Sequence, residues 1–410
     1  MKDQRLKEQK KKFDAHRQFH RLYFKANDMD FAFQWFMGST SHGGASIGES
    51  FYAAARIQDG DPVSWEREWI ALAERAQSRA EAELKAGHTV SGADALLRAT
   101  NYYRAALISR LPTHPQFRST VARMRECFHK GSALLEHPVE RFDIPFEGAI
   151  LPGYFQKAVT DNKPRRTLLM IGGAETFAED LYYFIAPAAL KRGYNFAAVD
   201  LPGQGDTPFQ GLSFRADTET PMKVILDALL ARPDVDSERL AAYGISAGGY
   251  FVPRAATHDS RIKACIANSM IFDFYDLWKK SNIERAKGLF KQYAAWKAPF
   301  QMRMGQLMAW RWGVDMDRLY ELAEKNRGFV FDPACIPCPT LILIGEGEYQ
   351  NLQIRDQQER AMAAVPHLLK KFIVGPLDEG IGHHCMGENV GLMSAFVFDW
   401  LDDIFAERGE

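Results

Sequence analysis

The sequence predicts an α/β fold: a mainly parallel sheet with helices on both faces, a helical amino-terminal region and a helical insertion. Three observations predict it. From about residue 141 onward, short apolar runs ending in turn residues alternate with helical patterns. Before residue 140, apolar side chains recur at helical spacing and strand patterns are absent. Between about residues 270 and 332 the alternation stops and the pattern is helical throughout. The expected division is a helical region at 1–140 and an α/β domain at 141–410 that carries the insertion.

Each element has a local justification. In SWEREWIALAERAQSRAEAEL, Ser64 is a candidate cap, Glu66 suits the first turn, and Trp65, Trp69, Leu72 and Ala76 share a face. In SGADALLRATNYYRAALISR, Ser91 is a candidate cap and Leu96, Tyr103 and Leu107 share a face. A third helix is expected over 115–135, and the Gly- and Ser-rich FMGSTSHGGASIGES reads as a loop. VERFDIPF and ILPGYFQKAV then read as neighbouring strands joined by a turn at Glu147 and Gly148. RRTLLMIGG is a buried strand followed by a helix over 178–192. YNFAAVDLPG (strand), 221–231 (helix), RLAAYGIS (strand), a helix from 247 and IKACIANS (strand) follow. PTLILIG and KKFIVG flank a helix over 353–365, and a last helix covers 390–405. The insertion is crowded with Phe272, Phe274, Tyr275, Trp278, Phe290, Tyr293, Trp296, Trp310, Trp312 and five methionines. It reads either as a lid over an aromatic-lined pocket or as the core of a helical insertion, with no single aromatic assigned to substrate.

Bulk composition excludes several partners. Lys+Arg 51 against Asp+Glu 52 gives no support for nucleic acid, which favours a basic face. No apolar run approaches the roughly 20 residues of a membrane helix. The charged start MKDQRLKEQKKKF lacks the apolar stretch of a secretory signal and reads as a solvated tail. Five scattered cysteines suit reduced thiols and a cytoplasmic location. The close pair Cys335 and Cys338 has no second pair to complete a zinc site and precedes a strand, so no function is assigned to it. Nothing demands a metal or an organic cofactor, and the expected partner is a small-molecule substrate.

The chemistry centres on Gly244-Ile245-Ser246-Ala247-Gly248, followed by Gly249. It lies directly after an apolar strand and before a helix, the context of a nucleophile elbow. The turn is tight, so small residues must flank the serine, and the helix N-terminus brings backbone N–H groups close. An oxyanion hole needs two such donors. One is expected from Ala247 and the other from the loop Ile171-Gly172-Gly173-Ala174-Glu175, with Ala174 preferred and Gly173 close behind. A serine hydroxyl near pH 7 needs a histidine to take its proton and an acid to orient that histidine. The chain order Ser, acid, His is satisfied by Gly345-Glu346-Gly347-Glu348-Tyr349 after PTLILIG and by His383-His384-Cys385 after KKFIVG. Both loops lie at the carboxyl ends of expected strands, where ligands bind in open α/β sheets. On these grounds either histidine is a candidate base, and Glu348, Glu346 and Asp273 compete as the acid. Asp200-Leu201-Pro202-Gly203-Gln204-Gly205 reads as a structural turn beside the site.

These residues together resemble the α/β-hydrolase superfamily from roughly residue 140 to the end. The cues SWEREWIALAER, ALLRATNYYRAA, ILPGYF, IGGAET, DLPGQGDT, GISAGGY and EGIGHHC resemble a branch with a helical amino-terminal region. That branch includes dihydroxypseudooxynicotine hydrolase of nicotine breakdown and the fungal polyketide-shortening hydrolases of pigment synthesis. The resemblance implies Ser246 as nucleophile and favours His384, since the family's base stands just before a Cys, as His384 stands before Cys385. It implies Glu348 as the acid, the third residue after the strand-ending Gly345, where the family more often has Asp; Glu does the same work with a longer reach. It further implies hydrolysis next to a ketone or ester carbonyl, carbon–carbon cleavage in several relatives, and dimers built through the helical region.

The leading expectation is therefore hydrolysis of a small, largely apolar carbonyl compound, aromatic or polyketide-like, through an acyl-enzyme. An acyltransferase or cyclase using the same residues is the second expectation. A non-catalytic binding protein on the same fold is the third, and the presence of all three residue types in order argues against it.

Overall fold

Strands buried on both faces must be apolar along their whole length, and the uninterrupted runs in this sequence become the centre of one sheet. The protein is described by a computed structural model over residues 20–161, 163–277 and 299–406. The charged amino-terminal run and four insertion aromatics, Trp278, Phe290, Tyr293 and Trp296, lie outside the described residues.

The sheet has eight strands in the order β1-β4-β6-β5-β7-β8-β9-β10. They are β1 (Val139–Arg141), β4 (Gly153–Gln156), β5 (Arg165–Ile171), β6 (Asn195–Val199), β7 (Val235–Ile245), β8 (Ala264–Asn268), β9 (Thr340–Gly345) and β10 (Lys370–Gly375). From β6 to β10 all neighbours are parallel, while β1 and β4 add an antiparallel edge. β2 (Ile144–Phe146) and β3 (Ala149–Leu151) form a separate hairpin. Each of the two strands expected at 139–146 and 150–159 is thus split in two. The joining turn falls at Glu147 (φ 48°) and Gly148 (φ 79°), the positive pair that a two-residue hairpin turn demands. Side chains on the two faces of the sheet form separate apolar cores, one under Ile342, Ala242 and Tyr250, the other under Tyr243, Ile266 and Phe398.

The helical region contains Asn27–Gly38, Ile47–Ala54, Pro62–Lys85, Thr89–Leu107 and Phe117–Ser132. Trp65, Trp69 and Leu72 face inward as their spacing requires. Three local expectations change. Asp61, not Ser64, caps its helix: Pro62 starts the first turn, and the Asp61 carboxylate accepts from Val63 N (3.2 Å) and Ser64 N (2.8 Å). The Ser64 hydroxyl instead accepts from Gln58 N (3.0 Å). Ser91 lies inside a helix that begins at Thr89, with no side-chain cap at His88. The Gly- and Ser-rich segment is mostly helical, running from the end of Asn27–Gly38 through a 3-10 turn at Ser39–His42 into Ile47–Ala54. The left-handed Gly43 (φ 77°) ends that turn, so the glycine acts as punctuation between short helices.

The apolar core of the helical region does not close on itself. It takes in Phe177 from the sheet domain and Phe300, Met304 and Leu307 from the insertion helix Pro299–Arg311. Trp65 meets Phe300 edge-to-face at 5.1 Å between ring centroids. The insertion therefore packs on both neighbours.

Candidate active site

Five parallel strands, β5, β7, β8, β9 and β10, carry the site at their carboxyl ends. The register pairs Ile171 with Gly244, Ile245 with Asn268, and Gly345 with Gly375. Ser246 follows β7 directly and precedes the helix Gly248–Ala256. Its φ of 54° is left-handed, unusual for a residue with a side chain and worth about 1–3 kcal/mol of strain. Two hydrogen bonds hold it, Ser246 N to Asn268 O (2.6 Å) and Gly249 N to Ser246 O (2.8 Å). The glycines are there for space: a Cβ at Gly248 would lie 2.6 Å from Ile171 O, and one at Gly244 would strike the Gly248 carbonyl.

His384 Nε2 stands 3.0 Å from Ser246 Oγ, and His384 Nδ1 stands 2.9 Å from Glu348 Oε1. A carboxylate only accepts, so in the neutral ring Nδ1 carries the proton and Nε2 is left to accept the serine hydroxyl. Burial works against the imidazolium, but the neighbouring Cys385 and Glu348 hold the His384 pKa well above the ordinary value. Burial also raises the Cys385 thiol, which keeps it neutral. We therefore assign the lift to the Glu348 carboxylate. Glu348 sits in the one-turn helix Glu346–Tyr349 after β9 and is buried. Ser269 Oγ donates to the same Oε1 (3.0 Å), while Oε2 has no partner among the described residues.

The competing candidates are occupied elsewhere. Glu346 Oε2 accepts from Leu377 N (2.9 Å), and Asp273 Oδ1 accepts from Asp276 N (3.0 Å). His383 turns to the helical region: its Nδ1 donates to Gln34 Oε1 (3.0 Å) and its ring lies 4.5 Å from that of His20. Burial, with His20 adding to it, pushes the His383 pKa down to about 4.

Gly173 approaches the serine so closely that a Cβ there would lie 2.7 Å from Ser246 Cβ. The amides of Ala174 and Ala247 donate to no protein acceptor among the described residues, and both residues line the cavity in front of Ser246. That cavity has a volume of about 190 Å³ and is walled mainly by apolar groups, among them Ile271, Phe274, Met308, Trp312 and Leu322. The two readings of the insertion divide by residue. Phe274, Met308 and Trp312 face the cavity, whereas Phe300 and Trp310 pack with the helical region. Among the described residues no group of three or more His, Cys, Asp or Glu is arranged to hold a metal ion.

Ser269 and Gln204 are among the residues that escaped the sequence reading. Ser269 is the first residue after β8, and its position at a strand's carboxyl end was the available signal. Gln204 lies in the turn that was read as structural. The turn is real, with left-handed Gly203 and Gly205, but the buried Gln204 amide reaches out of it to Gly172 O (2.6 Å) and Gly173 O (3.0 Å). A long polar side chain between two glycines was the only hint.

A family model described as "Esterase FrsA-like" matches residues 59–287, more than half of the chain. The chain belongs to the FrsA-like esterase family. This places it among α/β hydrolases and bears out the resemblance stated above. The FrsA-like chain is 30% identical over 419 residues to "20-hydroxy-prefusarin hydrolase FUS2" of Gibberella moniliformis, covering 93% of this chain and 98% of that one. It is 38% identical to "Hydrolase ORFZ" of Pyricularia oryzae over 62% of this chain, and spans 63% of that relative, less than two thirds of its length. Among solved structures, 2,6-dihydroxy-pseudo-oxynicotine hydrolase superposes with a TM-score of 0.70 at 23% identity, covering 90% of this chain and 95% of that one. The likeness in fold thus takes in the helical region as well as the sheet, and the protein is a hydrolase.

Proposed function

We propose that this hydrolase uses Ser246 to cleave a carbon–carbon or ester bond next to a carbonyl in a small, largely apolar, aromatic or polyketide-like substrate. One observation carries the reading: an unbroken line from Glu348 through His384 to Ser246 that opens on an apolar cavity. A line of this kind turns a weak hydroxyl into a nucleophile because the base is oriented and the charge it gains is balanced. Likeness to a prefusarin hydrolase over nearly the whole chain supports hydrolysis of a small molecule.

In the proposed cycle His384 Nε2 takes the Ser246 proton as Oγ adds to the carbonyl carbon. The new oxyanion lies between the Ala247 and Ala174 amides, and Glu348 balances the imidazolium. On collapse His384 gives its proton to the leaving group, the enolate carbon of a β-diketone or the alkoxide of an ester. Water, deprotonated by His384, then attacks the acyl-enzyme, releasing the acid and restoring Ser246. Ser246→Ala is expected to abolish turnover of an activated aryl ester while the melting curve stays unchanged, and a fluorophosphonate is expected to label Ser246. Retained turnover, or a folded wild-type protein that stays unlabelled, overturns the reading. Incorporation of heavy oxygen from water into the acid product distinguishes hydrolysis from transfer to a second substrate.

A further inference from the structure

A guanidinium taken out of water needs compensation, and Arg311 has little. It ends the insertion helix Pro299–Arg311 and is buried, yet forms no ion pair among the described residues. Burial, with Arg104 nearby, pulls its pKa down to about 10. Its Nε has no hydrogen-bond partner among the described residues. Its one side-chain hydrogen bond among the described residues runs from Nη1 to the carbonyl of Ala174 (2.9 Å). An apolar side chain of similar volume would serve stability at least as well at such a position.

The target of that bond explains the cost. Every carbonyl from Gly172 to Thr176 accepts a hydrogen bond. Gln204 Nε2 donates to Gly172 O and Gly173 O, and Thr176 Oγ1 also donates to Gly173 O (3.1 Å). Arg311 takes Ala174 O, Arg104 Nη2 takes Glu175 O (2.6 Å), and Gly205 N takes Thr176 O (3.0 Å). In a planar trans peptide the N–H of one residue points opposite to the C=O of the residue before it. Gln204 and Thr176, through Gly173 O, therefore set the direction of the Ala174 N–H, and Arg311, through Ala174 O, fixes the peptide that follows it. The loop so held carries the Ala174 amide and touches Ser246 through Gly173.

We propose that Arg311 is a positioning residue for the oxyanion hole: the insertion, through this guanidinium, pins the Ala174 carbonyl and so steadies Ala174 from its carboxyl side, while Gln204 and Thr176 aim its N–H through Gly173 O at the developing negative charge. The inference rests on the proposed serine mechanism. The cationic head behind the loop also favours negative charge on its inner side. The next residue, Trp312, lines the substrate cavity, and Arg311 O accepts from Phe214 N (2.9 Å), so the clamp is continuous with the cavity wall. A substrate that seats Trp312 therefore seats the oxyanion loop as well.

The test uses full-length protein with an aryl ester as substrate and a trifluoromethyl ketone, which forms a hemiketal oxyanion on serine, as the probe of the hole. Rates are normalised to sites titrated with a fluorophosphonate. Arg311→Met is expected to lower kcat roughly tenfold to a hundredfold, leave KM within about twofold, and weaken ketone binding in the same proportion as kcat/KM. Arg311→Lys is expected to recover part of both losses. A merely structural role reduces the number of titrated sites without changing kcat per site or ketone affinity, and that result overturns the inference. A loss confined to KM overturns it too. Should Arg311→Met not fold, Arg311→Lys alone decides: an unchanged kcat per site and unchanged ketone affinity refute the role, and a parallel loss in both supports it. Ser246→Ala in the same assay separates the two claims. Turnover retained there removes the mechanism itself, whereas an inactive Ser246→Ala beside a fully active Arg311→Met removes only the role of Arg311.

Discussion

Glu348→Gln removes the charge and keeps the shape, so it isolates what the carboxylate does. Glu348 Oε1 lies 2.9 Å from His384 Nδ1 and shares its other contact with Ser269, and the group is buried. When His384 takes the serine proton, a full positive charge appears about 4 Å from the centre of that carboxylate. At an effective dielectric of about 20 the attraction is worth about 4 kcal/mol, or roughly a thousandfold in rate. The pH profile should move as well. The base works when neutral, so kcat/KM rises as pH climbs through the His384 pKa. In the wild type that limb lies above the ordinary histidine range. Without the carboxylate, burial is left to act on the ring, and the limb shifts to lower pH. The assay is aryl ester hydrolysis across a pH series, with thermal melting as the check on folding. Glu346→Gln and Asp273→Asn serve as controls and should keep wild-type kcat, since both side chains cap backbone amides away from the serine. A Glu348→Gln enzyme with wild-type kcat/KM and an unmoved limb would refute the assignment, and a thousandfold loss in Glu346→Gln instead would transfer it.

Two further outcomes follow from the same contacts. His383 has a folded pKa of about 4, below the roughly 6.5 of an unfolded histidine, so the unfolded chain takes its proton first as the pH falls. Stability is therefore lost between about pH 6.5 and pH 4, by up to about 3 kcal/mol, and His383→Gln should flatten that loss in urea unfolding. Glu388, 3.7 Å away and raised to about 7 by burial, titrates in the opposite sense, so the quantity that decides is the difference between wild type and variant, and equal slopes would refute it. Gly173→Ala places a methyl 2.7 Å from Ser246 Cβ and should cost on the order of a hundredfold in kcat with the fold retained; wild-type kcat would show that the serine has room to move.

The parallel sheet was legible because β5 to β9 bury both faces, so their apolar runs carry no ambiguity of face. Ser246 was legible for a related reason: a serine in a left-handed turn between strand and helix demands the small neighbours the sequence displays. The choice between His383 and His384 was not available from spacing. Adjacent residues in an irregular loop point in different directions, and only the contact of His383 with Gln34, 349 residues earlier, shows which way each ring faces. The choice among Glu346, Glu348 and Asp273 failed to resolve for the same reason, and the resemblance, not the pattern, favoured Glu348. Helix caps were misjudged where a better competitor stood nearby, as Asp61 stood before Pro62. Arg104, Gln204 and Arg311 left almost no local trace, because what they hold are backbone carbonyls, which carry no sequence signature.

Those three side chains bear on why the helical region exists. One comes from helix Thr89–Leu107, one from the turn after β6, and one from the insertion, and they converge on four consecutive residues next to the serine, Gly172 to Glu175. The Arg104 guanidinium is fixed in turn by buried Asp180 (2.8 Å), at the start of the helix that follows the loop. The guanidinium groups of Arg104 and Arg311 both lie over the Phe177 ring, at 5.1 Å and 5.6 Å from its centroid. A sheet that ends in the right residues is therefore insufficient for the oxyanion geometry, because two of its supports belong to elements outside the sheet domain's repeating pattern. The family likeness starts at residue 59, within the helical region, and continues to residue 287, within the insertion. That span takes in Arg104 and Gln204 and stops short of Arg311, so the helices before the sheet reach the loop through Arg104 as part of the site and not as an appendage to it.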